Sequence, residues 1–200
     1  MRRVVGVVGL VLVVTATAGL GLGAQGAGAA KGRGTTAALP VVVFETVKGT
    51  FEVEFYPNEA PKSVEYILAL VRRNFYNGLR VHRVVPGFVA QFGDPLTRDM
   101  SKRSMWGSGG SGRTIGVAEI HPKRTHKLGA VALAYASSGG PTSADSQLYI
   151  CLNGPARYTA IEGDYAVIGQ VISGMDVVQK LQEPDLIRRA TVKGPGRGAK

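Results

Sequence analysis

The 200-residue chain holds a single cysteine, Cys151. That excludes an internal disulfide framework and any zinc module built on cysteines. Charged residues are sparse at 19%, against 44% apolar, so wholesale disorder is excluded. Acids are the scarcer sign: 14 Asp and Glu face 24 Lys and Arg, a formal charge of +10. Such a balance permits acidic partners without identifying one. No serine sits in a G-x-S-x-G elbow and no H-E-x-x-H is present, which removes two common hydrolase signatures. What is abundant is glycine, at 28 residues, with 10 prolines, and this favours a turn-rich fold over a helical bundle.

The first thirty residues do not belong to the fold. Arg2 and Arg3 open an apolar run from Val4 to Leu22, and Ala27-Gly28-Ala29 fits an A-x-A cleavage site. Residues 1–29 therefore read as a secretory signal peptide, with export to a periplasm or outside the cell. The competing reading is an uncleaved anchor, because the largely apolar run from Val4 to Leu22 is 19 residues, just long enough to span a bilayer. Cleavage leaves 22 basic against 14 acidic residues, a balance of +8. Residues 30–39 read as a linker, 40–192 as one domain and 193–200 as a frayed basic tail.

Within the domain, Val41–Val47 and Thr50–Phe55 flank Lys48-Gly49, as in a hairpin. In the second run Phe51, Val53 and Phe55 face one way, Glu52 and Glu54 the other. Asn58 suits the cap of a helix to about Arg73, with Val64, Ile67, Leu68 and Val71 as its buried stripe. Short strands are predicted at Arg80–Val85, Val89–Phe92, Ala130–Tyr135, Gln147–Leu152, Ala166–Val171 and Ala190–Val192, and a second helix at Met175–Gln182. Many short strands with two separated helices point to a closed barrel with helical plugs.

Gly107 to Gly112 matches G-x-G-x-x-G, but no buried strand precedes it and no helix follows, so a surface loop between Pro95 and Arg113 is the better reading. His82, His121 and His126 lack metal-ligand spacing, and no metal or other cofactor is expected.

The most specific stretch runs from Val81 to Pro95, VHRVVPGFVAQFGDP. It sets Arg83, Phe88 and Gln91 on two short strands joined at Pro86-Gly87, so a cation, a large ring and an amide share a small area. The stretch resembles the F-H-R-x-x-x-x-F-x-x-Q-x-G-D block of the cyclophilin-type peptidyl-prolyl isomerases. Further blocks are similar in the same order: Ala130–Ala134, Ser146–Ile150, Ile161–Gly169 and Gly174–Val178. The resemblance covers about Val41 to Val192. It implies a mainly β fold, a closed eight-stranded antiparallel barrel capped by two helices, acting on X-Pro bonds.

By that resemblance Arg83 is the catalytic residue. The prolyl ring would rest against Phe88, Val89, Tyr149 and Ile161; Gln91 would hold the substrate backbone; Ala134 and Tyr135 would line the adjoining groove, and Tyr165 completes the set. Arg83, set between Val81-His82 and Val84-Val85, is expected away from a fully solvated face, and His82 is expected to bond a backbone group. The chain departs from the family pattern at several points. Ala160 replaces an aromatic residue of the pocket wall, which weakens the case for cyclic-peptide binding; Tyr149 replaces Phe and Phe92 replaces Gly. The implied partners are proline-containing peptides and unfolded or folding proteins. The alternative is a module that binds such peptides without turnover. Nucleic acid is not expected, because the cations are scattered rather than striped. A monomer is expected, with membrane contact only if the leader stays attached.

Overall fold

The computed structural model describes residues 38–136 and 138–194. The leader 1–29, with the anchor alternative at 4–22, lies outside the described residues, as do linker positions 30–37 and tail residues 195–200. Lys193, read as the start of a frayed tail, is held in the fold: its N–H donates to Val41 O at 2.7 Å and its ammonium meets Glu52 at 2.9 Å.

Eight strands form one antiparallel sheet, so the fold is mainly β. In chain order they are β1 (Val41–Thr46), β2 (Gly49–Phe55), β3 (Arg83–Val85), β4 (Val89–Phe92), β5 (Ala130–Leu133), β6 (Leu148–Cys151), β7 (Val167–Ser173) and β8 (Ile187–Val192). Across the sheet they run β3-β4-β6-β5-β7-β2-β1-β8. The helices are α1 (Pro61–Arg72) and a single turn, α2 (Met175–Val178), shorter than predicted.

The expected closed barrel is corrected to a curled, open sheet, because β3 and β8 end the order and do not pair. The segments leading into them do meet. Arg80 bridges Leu186, and Val81 donates its N–H to Asp185 O at 2.9 Å. At His82 the chain changes partner, donating instead to Gln91 O at 3.1 Å. The run predicted as one strand, Arg80–Val85, is therefore divided between the two edges, and only its last three residues form β3.

Alternation divides each strand between two cores. Ala90 and Phe92 of β4, Leu148 and Ile150 of β6, and Val131 and Leu133 of β5 enter the main core with Phe44, Phe51, Val53 and the α1 stripe. Val89, Tyr149, Cys151, Ala130 and Ala132 point the other way, into a smaller cluster with Tyr158 and Val167. Each large apolar side chain buried this way contributes about 1.5–3 kcal/mol. Gly93 ends β4 with φ 108°, where a Cβ would lie 2.3 Å from Ser146 O. Only glycine permits that approach.

The helix start differs from the Asn58 prediction. Pro61 disfavours helical geometry at Ala60 and itself fits the first helical position, so the cap falls two residues later, at Ala60. Ala60 has no capping side chain. The cap comes from far along the chain: Glu119 accepts from the Lys62 N–H at 3.1 Å and the Ser63 N–H at 2.8 Å. A carboxylate there also suits the positive end of the helix dipole.

The segment after β4 was expected to be a plain surface loop. It is instead built on Asp94, which is fully buried. The Asp94 carboxylate accepts from Leu96 N at 2.7 Å, Gly107 N at 2.5 Å and Gly109 N at 3.1 Å, with 3-10 turns at Pro95–Arg98 and Met100–Met105 between them. A carboxylate able to take three N–H groups folds a glycine-rich stretch that has little apolar content of its own.

Candidate active site

Strand register assembles the site. Arg83 of β3 is opposite Gln91 of β4, Gln91 is opposite Tyr149 of β6, and Tyr149 is opposite Ala132 of β5. Cross-strand partners point to the same face, so one row of the sheet carries guanidinium, amide and ring side by side. Around that row lies a cleft of about 370 Å3 lined by Arg83, Phe88, Val89, Gln91, Ala134, Tyr135, Tyr149, Ile161 and Tyr165. The structure thus brings all nine residues singled out from the sequence around one concavity.

The floor is apolar and rigid. Phe88 stacks on Tyr158 at 5.3 Å, and the Tyr158 hydroxyl donates to Phe88 O at 2.6 Å. The far wall is aromatic: Tyr135 stacks on Tyr165 at 4.5 Å, and Tyr165 meets Tyr149 edge-on at 5.7 Å. Ala160 is exposed beside Ile161 and leaves that side of the rim without a ring.

Arg83 is exposed to solvent, contrary to the expectation drawn from its valine neighbours. A three-residue edge strand buries only one face, and Arg83 projects from the other. Its guanidinium is nonetheless oriented. Arg83 Nη1 donates to Gln91 Oε1 at 3.5 Å; Gln91 Nε2 donates to Gln147 Oε1 at 2.8 Å; Gln147 Nε2 donates to the carbonyls of Gly107 and Gly109 at 2.9 and 2.7 Å. The Gln91 amide, expected to hold substrate, therefore also links Arg83 to the Asp94-anchored loop. Beyond it a second cleft of about 340 Å3 opens, where Ala134 and Tyr135 face Gly109 and Asp145; this is the adjoining groove.

Two histidines depart from their readings. The His82 ring, unlike its main-chain N–H, bonds no backbone group, and both ring nitrogens are buried. Burial lowers its pKa, since a charged ring there would be poorly solvated. His126, considered only as a metal ligand, is fully buried behind the cleft. Its Nε2 lies 2.8 Å from the Tyr149 hydroxyl and its Nδ1 3.1 Å from Glu162 Oε2, while its backbone N–H also donates to Glu162 at 2.9 Å. A carboxylate only accepts, so in a neutral ring Nδ1 is assigned the proton and Nε2 receives the one from Tyr149. Burial raises the Tyr149 pKa and pushes the Cys151 thiol up to about 12. His126, Glu162, Tyr158 and Gln147 were missed in the sequence. The one available signal was Tyr149 itself, because a tyrosine hydroxyl in an apolar strand requires a partner. Among the described residues no group of three or more His, Cys, Asp or Glu is placed to hold a metal.

The cleft thus sets a guanidinium and an amide beside an apolar slot on one face of an antiparallel sheet. Comparison with known proteins narrows this. The family model for cyclophilin type peptidyl-prolyl cis-trans isomerases matches residues 41–195. A probable peptidyl-prolyl cis-trans isomerase of Brucella abortus is 38% identical over 158 residues, covering 77% of each chain. Peptidyl-prolyl cis-trans isomerase B of Bacillus subtilis is 34% identical over 143 residues, 72% of this chain and 90% of that one. Crystal structures of a cyclophilin type isomerase from Cryptosporidium parvum share the fold: one has a TM-score of 0.66 at 22% identity, covering 78% of this chain and 99% of the other. A second, obtained in the presence of the dipeptide Ala-Pro, has a TM-score of 0.65 at 23% identity. The chain belongs to the cyclophilin-type peptidyl-prolyl cis-trans isomerases and is an isomerase of that family.

Proposed function

We propose that the chain rotates X-Pro bonds in exported, folding polypeptides, with Arg83 as the catalytic residue and the Phe88–Tyr149 slot as the prolyl pocket. The observation that carries the reading is the Arg83–Gln91–Tyr149 row, which places a donor beside an apolar cavity. The Ala-Pro dipeptide used with the Cryptosporidium relative supports the substrate class. The leader read in residues 1–29, with its A-x-A exit, supports export.

Amide resonance holds the X-Pro bond planar, and uncatalysed exchange takes tens of seconds. No bond has to form or break, so the enzyme works by favouring the twisted amide over the planar one. In the twisted state the prolyl nitrogen regains its lone pair and accepts a hydrogen bond. The Arg83 guanidinium donates it, steadied by Gln91, while the rings of Phe88 and Tyr149 immobilise the pyrrolidine. A charge-assisted hydrogen bond is worth roughly 1.5–3 kcal/mol, about ten- to a hundredfold in rate. The remaining acceleration comes from a cavity already shaped before substrate arrives.

The test is cis/trans exchange of an Ala-Pro peptide followed by NMR with the wild type and Arg83→Ala. A loss of about ten- to a hundredfold in kcat/KM is expected, with peptide binding largely kept. Equal rates in the two proteins would remove Arg83 from the mechanism. Binding without any faster exchange in the wild type would leave a peptide-holding module.

A further inference from the structure

Arg83 and Gln91 each have two sides. One faces the prolyl slot; the other lines a separate cleft of about 680 Å3 whose opposite wall includes Met105 and Trp106. Trp106 is the only tryptophan in the chain. It is held as a fixed wall: its Nε1 donates to Asp99 O at 3.3 Å, the Arg103 guanidinium lies 5.7 Å from the ring, and the next residue, Gly107, is bound by Asp94.

The chemistry of this cleft selects its occupant. Glu183 at its edge is already neutralised by Arg103 at 2.9 Å, so no net charge is offered beyond Arg83 itself. Met105 is 53% exposed although apolar, and Val84 adds a second apolar surface. Beneath them His82, only 8% exposed, closes the wall of the same cleft. Aromatic and thioether surface suits a peptide segment with an apolar side chain. The cleft is continuous with the prolyl site through two shared residues, so a polypeptide seated at Arg83 reaches it without leaving the surface.

We infer that the Met105–Trp106 cleft is a second substrate subsite, which takes an apolar or aromatic side chain from the stretch of polypeptide flanking the X-Pro bond. This deepens the isomerase reading and depends on it. The occupant is the substrate's own flank. With Ala160 leaving one rim of the slot bare, Trp106 supplies an aromatic contact on the opposite side of Arg83.

The experiment uses three capped peptides free of Trp and Tyr: a tetrapeptide centred on Ala-Pro, and the same peptide extended by three residues including Leu on the N-terminal or the C-terminal side. Emission excited at 295 nm reports Trp106 alone. One extended peptide is expected to shift that emission to the blue and to raise kcat/KM about tenfold over the tetrapeptide, the worth of burying one apolar side chain. In Trp106→Ala, and independently in Met105→Asp, the ratio of extended to short peptide is expected to fall to about one. Met105→Asp changes only an exposed side chain, so it guards against a folding defect in the tryptophan variant. No gain from either extension, a gain kept in both variants, or an unmoved Trp106 spectrum with a saturating extended peptide overturns the subsite. Loss of the prolyl mechanism is recognised separately, because it abolishes the difference between wild type and Arg83→Ala on the tetrapeptide.

Discussion

The Nε2 of His126 lies 2.8 Å from the hydroxyl of Tyr149, and the two rings are stacked within 6° of parallel. This pair ties a wall of the cleft to a residue 23 positions earlier in the chain. Through Glu162 it also reaches the segment that carries Ile161, so one imidazole braces two sides of the cleft. The hydroxyl that distinguishes Tyr149 from the phenylalanine of the family motif is held by the buried His126 ring.

The brace has a thermodynamic signature. Tyr149→Phe leaves a buried ring nitrogen unpaired and is expected to cost about 1–3 kcal/mol of stability. His126→Ala also leaves a cavity, and the double variant is expected to be less unstable than the sum of the two by about 0.5–3 kcal/mol. Urea unfolding of the four proteins measures the coupling. Strict additivity would mean that the two rings are neighbours without a working bond.

Catalysis is expected to be nearly flat between about pH 6 and 8, because rotating an amide needs no proton transfer. Burial moves Tyr149 and Cys151 further from neutrality, so neither contributes a titration in that window. Exchange rates measured across the range check this. A bell-shaped profile would point to an acid and a base at work.

Stability, unlike rate, is expected to fall as the solution is acidified. The unfolded chain protonates His82 near its ordinary value of about 6.5, whereas the buried ring in the native state resists the proton. The unfolded state then binds more protons, and the contribution of His82 is lost as pH drops through about 6.5 toward the lowered native value. Urea midpoints at pH 7.5 and 5.5 are expected to differ less in His82→Gln than in the wild type. An equal drop in both would place the effect elsewhere.

Asp94→Ala removes the acceptor for three N–H groups and is expected to destabilise the protein by about 2–4 kcal/mol. Because Gly107 and Gly109 are held by Asp94 and also receive Gln147, the change is expected to loosen Gln91 and Arg83 and lower kcat/KM. Asp94→Asn, which keeps one acceptor oxygen, is expected to lose less of both. Thermal melts with the peptide exchange assay decide it, and an Asp94→Ala enzyme with wild-type kcat/KM would uncouple loop from site.

Glu119→Ala is expected to cost about 0.5–2 kcal/mol, the range for a lost helix cap. Amide exchange in the first turn of α1 is the direct readout. Unchanged protection of Lys62 and Ser63 would show the cap to be idle.

Much of this protein is written locally. Alternation at Phe51, Val53 and Phe55 and the Val64–Val71 stripe depend only on the periods of strand and helix, and both fell where expected. Resemblance in ordered motifs named the nine cleft residues, because those side chains sit at fixed offsets on short strands whose register is forced by the core-facing residues between them. Where the sequence misled, the deciding partner lay far along the chain. Closure of the sheet turned on which strand His82 bonds, the start of α1 on Glu119, and the form of the Pro95–Arg113 segment on one buried carboxylate. The sequence alone determined which faces must be covered and which residue types a prolyl site needs. The tertiary structure decided which distant polar group satisfies each buried one, because hydrogen-bond pairing over 36 or 57 positions leaves no periodic trace in the chain.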